Sequence, residues 1–301
     1  MHAPIGALMT GQPIELAYAL ALISTDDSLS VFPRWVNYAF PGVEQVLRQL
    51  RGVACSEGCD FCRAHLDAKQ ALKRWFGFDS FLNVCWGVVA GGCCSAAIGG
   101  RSLLVVFPTG GGKSLTFQLP ALIAGELQSA LTVVISPLQS LMKDQVDNLL
   151  AAGIARAVTI NGLLDPIERA KAIAQVANGS ASILYISPES LRSRTIERLL
   201  QGRMISRFVI DEAHCFSAWG HDFRPDYLYI GRFIRELSRS KLRAEPIPIS
   251  CFTATAKYQV VEDIREYFKR YLARIIHEPR GTRINSEIAR VNFVDLMSSR
   301  C

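Results

Sequence analysis

Lysine and arginine are missing from the first 33 positions, Arg34 being the first of either. An N-terminus of that kind lacks the positively charged region of a secretory signal peptide. Long apolar runs are missing too. The two longest, "PIELAYALALI" (13–23) and "GVVAGGCCSAAIGG" (87–100), fall short of the roughly 20 residues that cross a bilayer, so no transmembrane helix and no membrane partner are expected. The nine cysteines show no regular disulfide framework, which places the chain in a reducing, intracellular compartment: cytoplasm or nucleoid, or the nucleus of a eukaryote. No internal repeat is visible. Charged residues make up only 20% of the 301 positions and apolar ones 50%, an ordinary globular balance with material for one or two cores. A net charge of +6 suits a polyanionic partner without requiring one.

From residue 103 onward, short β-branched runs alternate with helical patterns. "LLVVF", "LTVVIS", "ARAVTI", "SILYIS", "RFVID" and "IPISCF" are separated by amphipathic segments. The rhythm predicts an α/β fold, a parallel sheet with helices on both faces. Between the second and third runs, Leu138, Leu141, Met142, Val146, Leu149 and Leu150 recur at helical spacing, and Gly153 stands where the helix would stop. Asp165 is placed to cap a helix whose first residue is Pro166. Residues 1–68 read as a smaller, mostly helical region, with helical patterns near 12–23 and 43–51. A boundary is expected near 66–72, where "LDAKQALKRWFGF" begins a new helix.

The stretch "FPTGGGKSLTFQLPAL" (107–122) has the order of a phosphate-binding loop, although Phe107 stands where the usual spacing has its first glycine. An apolar strand runs through Pro108 into Thr109, Gly110, Gly111 and Gly112, then Lys113 and Ser114 open a helix. Glycines let backbone N–H groups turn inward, the helix N-terminus adds positive potential, lysine reaches terminal phosphates and the serine hydroxyl can ligate Mg²⁺. A glycine-rich turn is the alternative, and it leaves the G-K-S order unexplained. A second apolar strand delivers Asp211 and Glu212 in "RFVIDEAH" (207–214). One carboxylate suits Mg²⁺ and its neighbour a water attacking the γ-phosphate; a solvated acidic pair is the competing reading.

Together with "ISPLQSLMKDQV", "YISPESL", "IDEAHCFSAWGHDFRPDY" and "CFTATA", these motifs make residues 71–268 resemble the first RecA-like domain of RecQ-type superfamily 2 DNA helicases. The resemblance implies an ATP-dependent 3′–5′ DNA helicase and a RecA-like ATP-binding domain over residues 69–280. It implies that Thr109 to Ser114 bind ATP, with Phe78 beside the base, that Ser114 and Asp211 hold Mg²⁺, and that Glu212 is the catalytic base. His214, Thr253 and Thr255 would couple hydrolysis to DNA. Phe216, Trp219, Phe223 and Arg224 would stack on or pair with single-stranded DNA, a grip that needs no sequence readout. Ser136, Pro137, Ser140 and Gln145, with Ser187 and Pro188, would touch the DNA backbone; helix capping is the other reading of these six.

Two departures from the family pattern accompany the match. Its adenine-binding arginine and glutamine positions hold Leu82 and Cys85, so base selectivity is expected to fall. Residues 281–301 form a tail where a second RecA-like domain would begin, and that domain is expected to be missing from this chain. Upstream, Cys55, Cys59 and Cys62 stand at C-x3-C-x2-C. Reduced thiols are the default reading. A Zn²⁺ site with His65 as fourth ligand, or an iron–sulfur cluster of the radical type, are alternatives. A nucleotide- and DNA-binding module without turnover remains the other functional class.

Overall fold

A computed structural model describes residues 13–24, 31–55, 59–81, 87–106, 112–217, 224–241, 247–254 and 257–272. Six strands form one sheet: β1 (Leu103–Val106), β2 (Leu131–Ile135), β3 (Ala157–Ile160), β4 (Ile183–Ile186), β5 (Ile205–Ile210) and β6 (Ile249–Thr253). Every pairing is parallel, in the order β1-β6-β5-β2-β4-β3. All six expected strands are present. The fifth begins at Ile205, ahead of the "RFVID" run, because Leu131 of β2 already pairs with Ile205.

Strand side chains alternate between two apolar layers, as a pleated sheet covered on both faces requires. Leu104, Leu184, Ile186, Phe208 and Ile210 face one layer, closed by α9 (Pro166–Asn178), α10 (Arg194–Gln201), α11 (Tyr227–Ser240) and α12 (Tyr258–Leu272). Leu103, Val105, Tyr185, Val209 and Phe252 face the other, closed by α6 (Gly87–Ile98), α7 (Lys113–Gln128) and α8 (Gln139–Ala151). Each fully buried side chain of this size contributes roughly 1.5–3 kcal/mol of apolar transfer.

The local signals read from the sequence act as expected at two helix ends. Asp165 accepts from the backbone of Ile167 and Glu168 in a capping box at α9, with Pro166 at the first position. Gly153 takes a positive φ of 79° just beyond α8, a conformation that favours glycine. In α8 itself the expected apolar stripe is narrower than its leucines suggest. Leu138 and Leu150 are 47% and 59% exposed, while Met142 and Leu149 are buried; Leu138 stands just ahead of the first turn, and Leu150 lies one residue round the helix from Leu149, off the face that meets the sheet.

Helix α6 is built of small residues, and this lets it lie directly on α7. Pro120 within α7 has no N–H to give to the Thr116 carbonyl four residues earlier. The buried Cys94 thiol of α6 donates to that carbonyl instead, at 3.7 Å. Burial pushes the Cys94 thiol well above its ordinary range, so its proton stays in place. Farther along α7, Gly125 lies so close to Ser182 that a Cβ would overlap the serine side chain.

Ahead of the sheet lie α1 (Pro13–Ser24), α2 (Arg34–Ala39), α3 (Val43–Arg51), α4 (Asp60–His65) and α5 (Ala68–Phe76). Helices α1 to α3 share an apolar cluster with Ala130 and Met204, at the ends where β2 and β5 begin. A shielded ion pair, Lys241 Nζ to Glu44 at 2.8 Å, ties α3 to the end of α11. Asp67 caps α5 by accepting from Gln70 N, inside the expected boundary region. Among the described residues no helix is long and apolar enough to cross a membrane.

The tight α7–Ser182 approach predicts that Gly125→Ala lowers unfolding stability by about 1–3 kcal/mol, the usual cost of overpacking. Adding Ser182→Gly should restore part of it. A denaturant midpoint unchanged by Gly125→Ala would rule the close contact out.

Candidate nucleotide site

The chemistry gathers at one edge of the sheet, where the parallel strands end. β1 ends at Val106 and α7 starts at Lys113; β5 ends beside Asp211 and Glu212; β2 leads to Ser136; β6 ends on Thr253. Since β6 lies between β1 and β5, Thr253 sits between the two halves of the site. Gly112 precedes α7 with φ 81°, left-handed backbone that turns the chain into the helix. Thr109, Gly110 and Gly111 lie outside the described residues.

Lys113 Nζ lies 2.7 Å from Asp211 Oδ1 and 2.8 Å from Glu212 Oε1. Burial favours the neutral amine, but the Asp211 and Glu212 carboxylates outweigh it and raise the Lys113 pKa. Asp211 is buried, its N–H donates to the Ile135 carbonyl, and the Ser136 hydroxyl approaches its Oδ2 at 3.5 Å. Glu212 is one of two described non-glycine residues with positive φ, at 48°. Such a conformation costs roughly 1–3 kcal/mol and persists where neighbours over-determine it. Here the neighbours are Lys113 and His214: His214 Nδ1 is 3.2 Å from Glu212 Oε2, and Thr253 Oγ1 lies 3.4 Å from the same Nδ1.

The His214 hydrogen bond, aided by Lys113, holds the Glu212 carboxyl down at about 2 against the opposing effect of burial. His214 is raised to about 10 by the Cys215 sulfur and the Glu212 carboxylate, with burial opposing. Lys113, Asp211, Glu212, His214, Thr253 and Ser136 thus form one connected group. Ser114 stands beside Lys113 on the first turn of α7, partly exposed. Ser114 and Asp211 offer the oxygen donors Mg²⁺ prefers, and a cation, the Lys113 ammonium, already rests against the carboxylates.

Several expected roles are not matched by the placement of the side chains. Phe216 was expected to stack on DNA, yet it is 5% exposed and wedged between Tyr227, Tyr267 and Phe268. It offers no free face, because the short 3-10 turn after Glu212 points it into the helical layer. Ser136, expected at the DNA backbone, is buried and turned towards Asp211. Ser187 and Pro188 are buried as well, with the Ser187 and Ser190 hydroxyls 3.0 Å apart. Gln145 accepts from Gln118 Nε2 at 2.9 Å, and Arg224 donates to the Pro137 carbonyl at 3.2 Å. Ser140 stays exposed on α8. Trp219, Phe223 and Thr255 lie outside the described residues, as do Leu82 and Cys85.

Of the phenylalanines around Gly77, Phe76 and Phe81 pack against the core while Phe78 is 41% exposed and available to stack. Two supports escaped the sequence reading. Tyr227 OH donates to the Asp211 carbonyl at 3.0 Å, and Gln118 links α7 to Tyr185 at 3.0 Å. Tyr227 closes the "FRPDY" run, but nothing in a single tyrosine announces a bond reaching back sixteen residues.

A parallel sheet with a lysine opening the helix after β1 and paired carboxylates after β5 is the frame of a P-loop nucleotide-binding domain. The chain belongs to the DEAD/DEAH box helicase family, whose model matches residues 92–264, more than half of its length. It is 38% identical over 196 residues to the probable ATP-dependent DNA helicase RecS of Bacillus subtilis, covering 65% of this chain and 36% of that protein. To the ATP-dependent DNA helicase RecQ of Haemophilus influenzae it is 40% identical over 197 residues, covering 65% and 29%. To the ATP-dependent helicase SGS1 of Saccharomyces cerevisiae it is 42% identical over 176 residues, covering 56% and 12%. The chain therefore spans little more than a third of these relatives at most, and the resemblance to RecQ-type helicases drawn from the motifs is borne out.

The raised His214 pKa carries a stability consequence. Its contribution is fully present below the unfolded value near 6.5 and is lost as pH rises towards about 10. Unfolding measured from pH 6 to 10 should therefore show a stability loss that His214→Asn reduces. Parallel pH profiles for the two proteins would exclude the ionised pair with Glu212.

Proposed function

We propose that this chain, with residues 69–280 as its RecA-like unit, is the ATP-binding half of an ATP-dependent DNA helicase of the RecQ type. The observation that carries the reading is His214, whose Nδ1 meets both the Glu212 carboxylate and the Thr253 hydroxyl. The proposed base, Glu212, and the end of β6 are linked through one ring. A change at the DNA-facing side of β6 would then alter the group that orients the attacking water.

In this reading Lys113 leaves the carboxylates for the terminal phosphates of ATP, which frees Glu212 from one of its two partners. Ser114 and Asp211 would hold Mg²⁺, which supplies neutralisation of phosphate charge. Glu212 accepts a proton from water at its carboxylate oxygen. Tyr227 and Ser136 hold Asp211 in position from the backbone and side-chain sides. Phe78 offers a stacking face to the base, without the arginine and glutamine seen in the family pattern. Single-stranded DNA is the proposed partner, gripped chiefly by the 218–224 segment with Trp219, Phe223 and Arg224. Thr255 would report that contact beside Thr253. A second RecA-like domain facing this one would add an arginine finger, worth roughly 10³–10⁵ in rate.

The reading is tested by ATP turnover with and without single-stranded DNA. DNA should stimulate turnover, Glu212→Gln should keep ATP binding and abolish hydrolysis, and Trp219→Ala should weaken DNA binding more than Lys143→Ala, since stacking contributes about 1–3 kcal/mol per base. ATP binding with no turnover under any condition would favour a binding module instead.

A further inference from the structure

We propose that Cys55, Cys59 and Cys62, with His65 as fourth ligand, bind one structural Zn²⁺ that clamps the segment joining α3 to α5. The three sulfurs lie within 4.8 Å of one another, the one group of potential metal ligands of this kind among the described residues. Cys55 Sγ and Cys62 Sγ are 3.4 Å apart. Tetrahedral zinc with Zn–S bonds near 2.3 Å sets its sulfurs about 3.8 Å apart, close to this arrangement. A disulfide would need about 2.05 Å.

Three further features fit a metal centre. The Cys55 N–H donates to Cys62 Sγ at 3.3 Å, a contact that suits a thiolate. His65 follows Cys62 by three residues on α4, hence on a neighbouring face of the helix, and its buried Nδ1 has no hydrogen-bond partner. Its ring now stacks on Phe61 at 4.6 Å and lies outside the sulfur group, so ligation requires it to turn at the end of α4. All three cysteines are partly exposed, which leaves a path for the ion.

The position gives the metal a structural task. Phe61 and Cys62 pack onto the cluster that holds Leu115 and Leu119 of α7, and the Arg51 guanidinium at the end of α3 lies 4.9 Å over the Phe61 ring. A closed site here would fix the N-terminal helices against the helix that opens with Lys113. Binding replaces three thiol protons by one Zn²⁺, releasing three protons and leaving sulfur oxidation states unchanged.

The full chain, purified under reducing, oxygen-free conditions, should contain one zinc per molecule by mass spectrometry. Replacement by Co²⁺ should give thiolate charge-transfer bands of a tetrahedral site. Cys59→Ser should lose the metal, and His65→Ala should weaken Co²⁺ binding by about tenfold or more, both with ATP affinity retained. If Cys59→Ser does not fold, a zinc chelator added to the native chain should lower its thermal midpoint. A metal-free chain with free thiols, a Cys55–Cys62 disulfide, iron with sulfide, or Co²⁺ binding unchanged in His65→Ala would each overturn the assignment.

Discussion

The Lys113 ammonium, held between Asp211 and Glu212, is the interaction on which the rest of the site depends. Two adjacent carboxylates at the end of a buried strand repel one another, and in this shielded position a cation must sit against them. Lys113 supplies that cation only because α7 begins at the end of β1 while β5 stands one strand away across β6. The strand order therefore decides the chemistry: β6 sets the spacing across which Lys113 reaches the acids, and its end brings Thr253 to His214. The positive φ of Glu212 belongs to the same constraint, since its backbone strain is sustained by the two charged partners of its side chain.

Much of this was legible in the sequence because it rests on local rules. β-Branched runs marked every strand, Asp165 and Pro166 marked the start of α9, and the G-K-S and D-E-A-H orders marked the two halves of the site. What was not legible depends on where side chains point after packing. Phe216 reads as a stacking aromatic until the 3-10 turn is known to aim it at Tyr227 and Phe268. Ser136 reads as a polar group at a strand end, and only the β2–β5 pairing turns it towards Asp211. Leu138 and Leu150 follow helical spacing, but spacing alone does not say how wide a stripe of the helix meets the sheet.

The small-residue helix α6 is a further element that the sequence does not announce. A stretch of Gly, Ala and Cys gives little propensity or polarity to recognise, yet its thin surface lets α7 come close, and Cys94 satisfies the carbonyl left open by Pro120. Below the sheet, α1 to α3 bury their apolar faces on Ala130 and Met204, and Lys241–Glu44 fastens that packing. The N-terminal helices and the phosphate-loop helix are consequently mechanically connected through α3, the cysteine segment and α5.

The most direct measurement is calorimetric ATP affinity, in the presence of Mg²⁺, for the native chain and for Lys113→Ala. Loss of a charge-assisted contact worth about 1.5–3 kcal/mol corresponds to roughly tenfold or greater weakening, which is the predicted result. Equal affinity for the two proteins would contradict it, leaving Lys113 as a partner of Asp211 and Glu212 alone and the site without its phosphate contact.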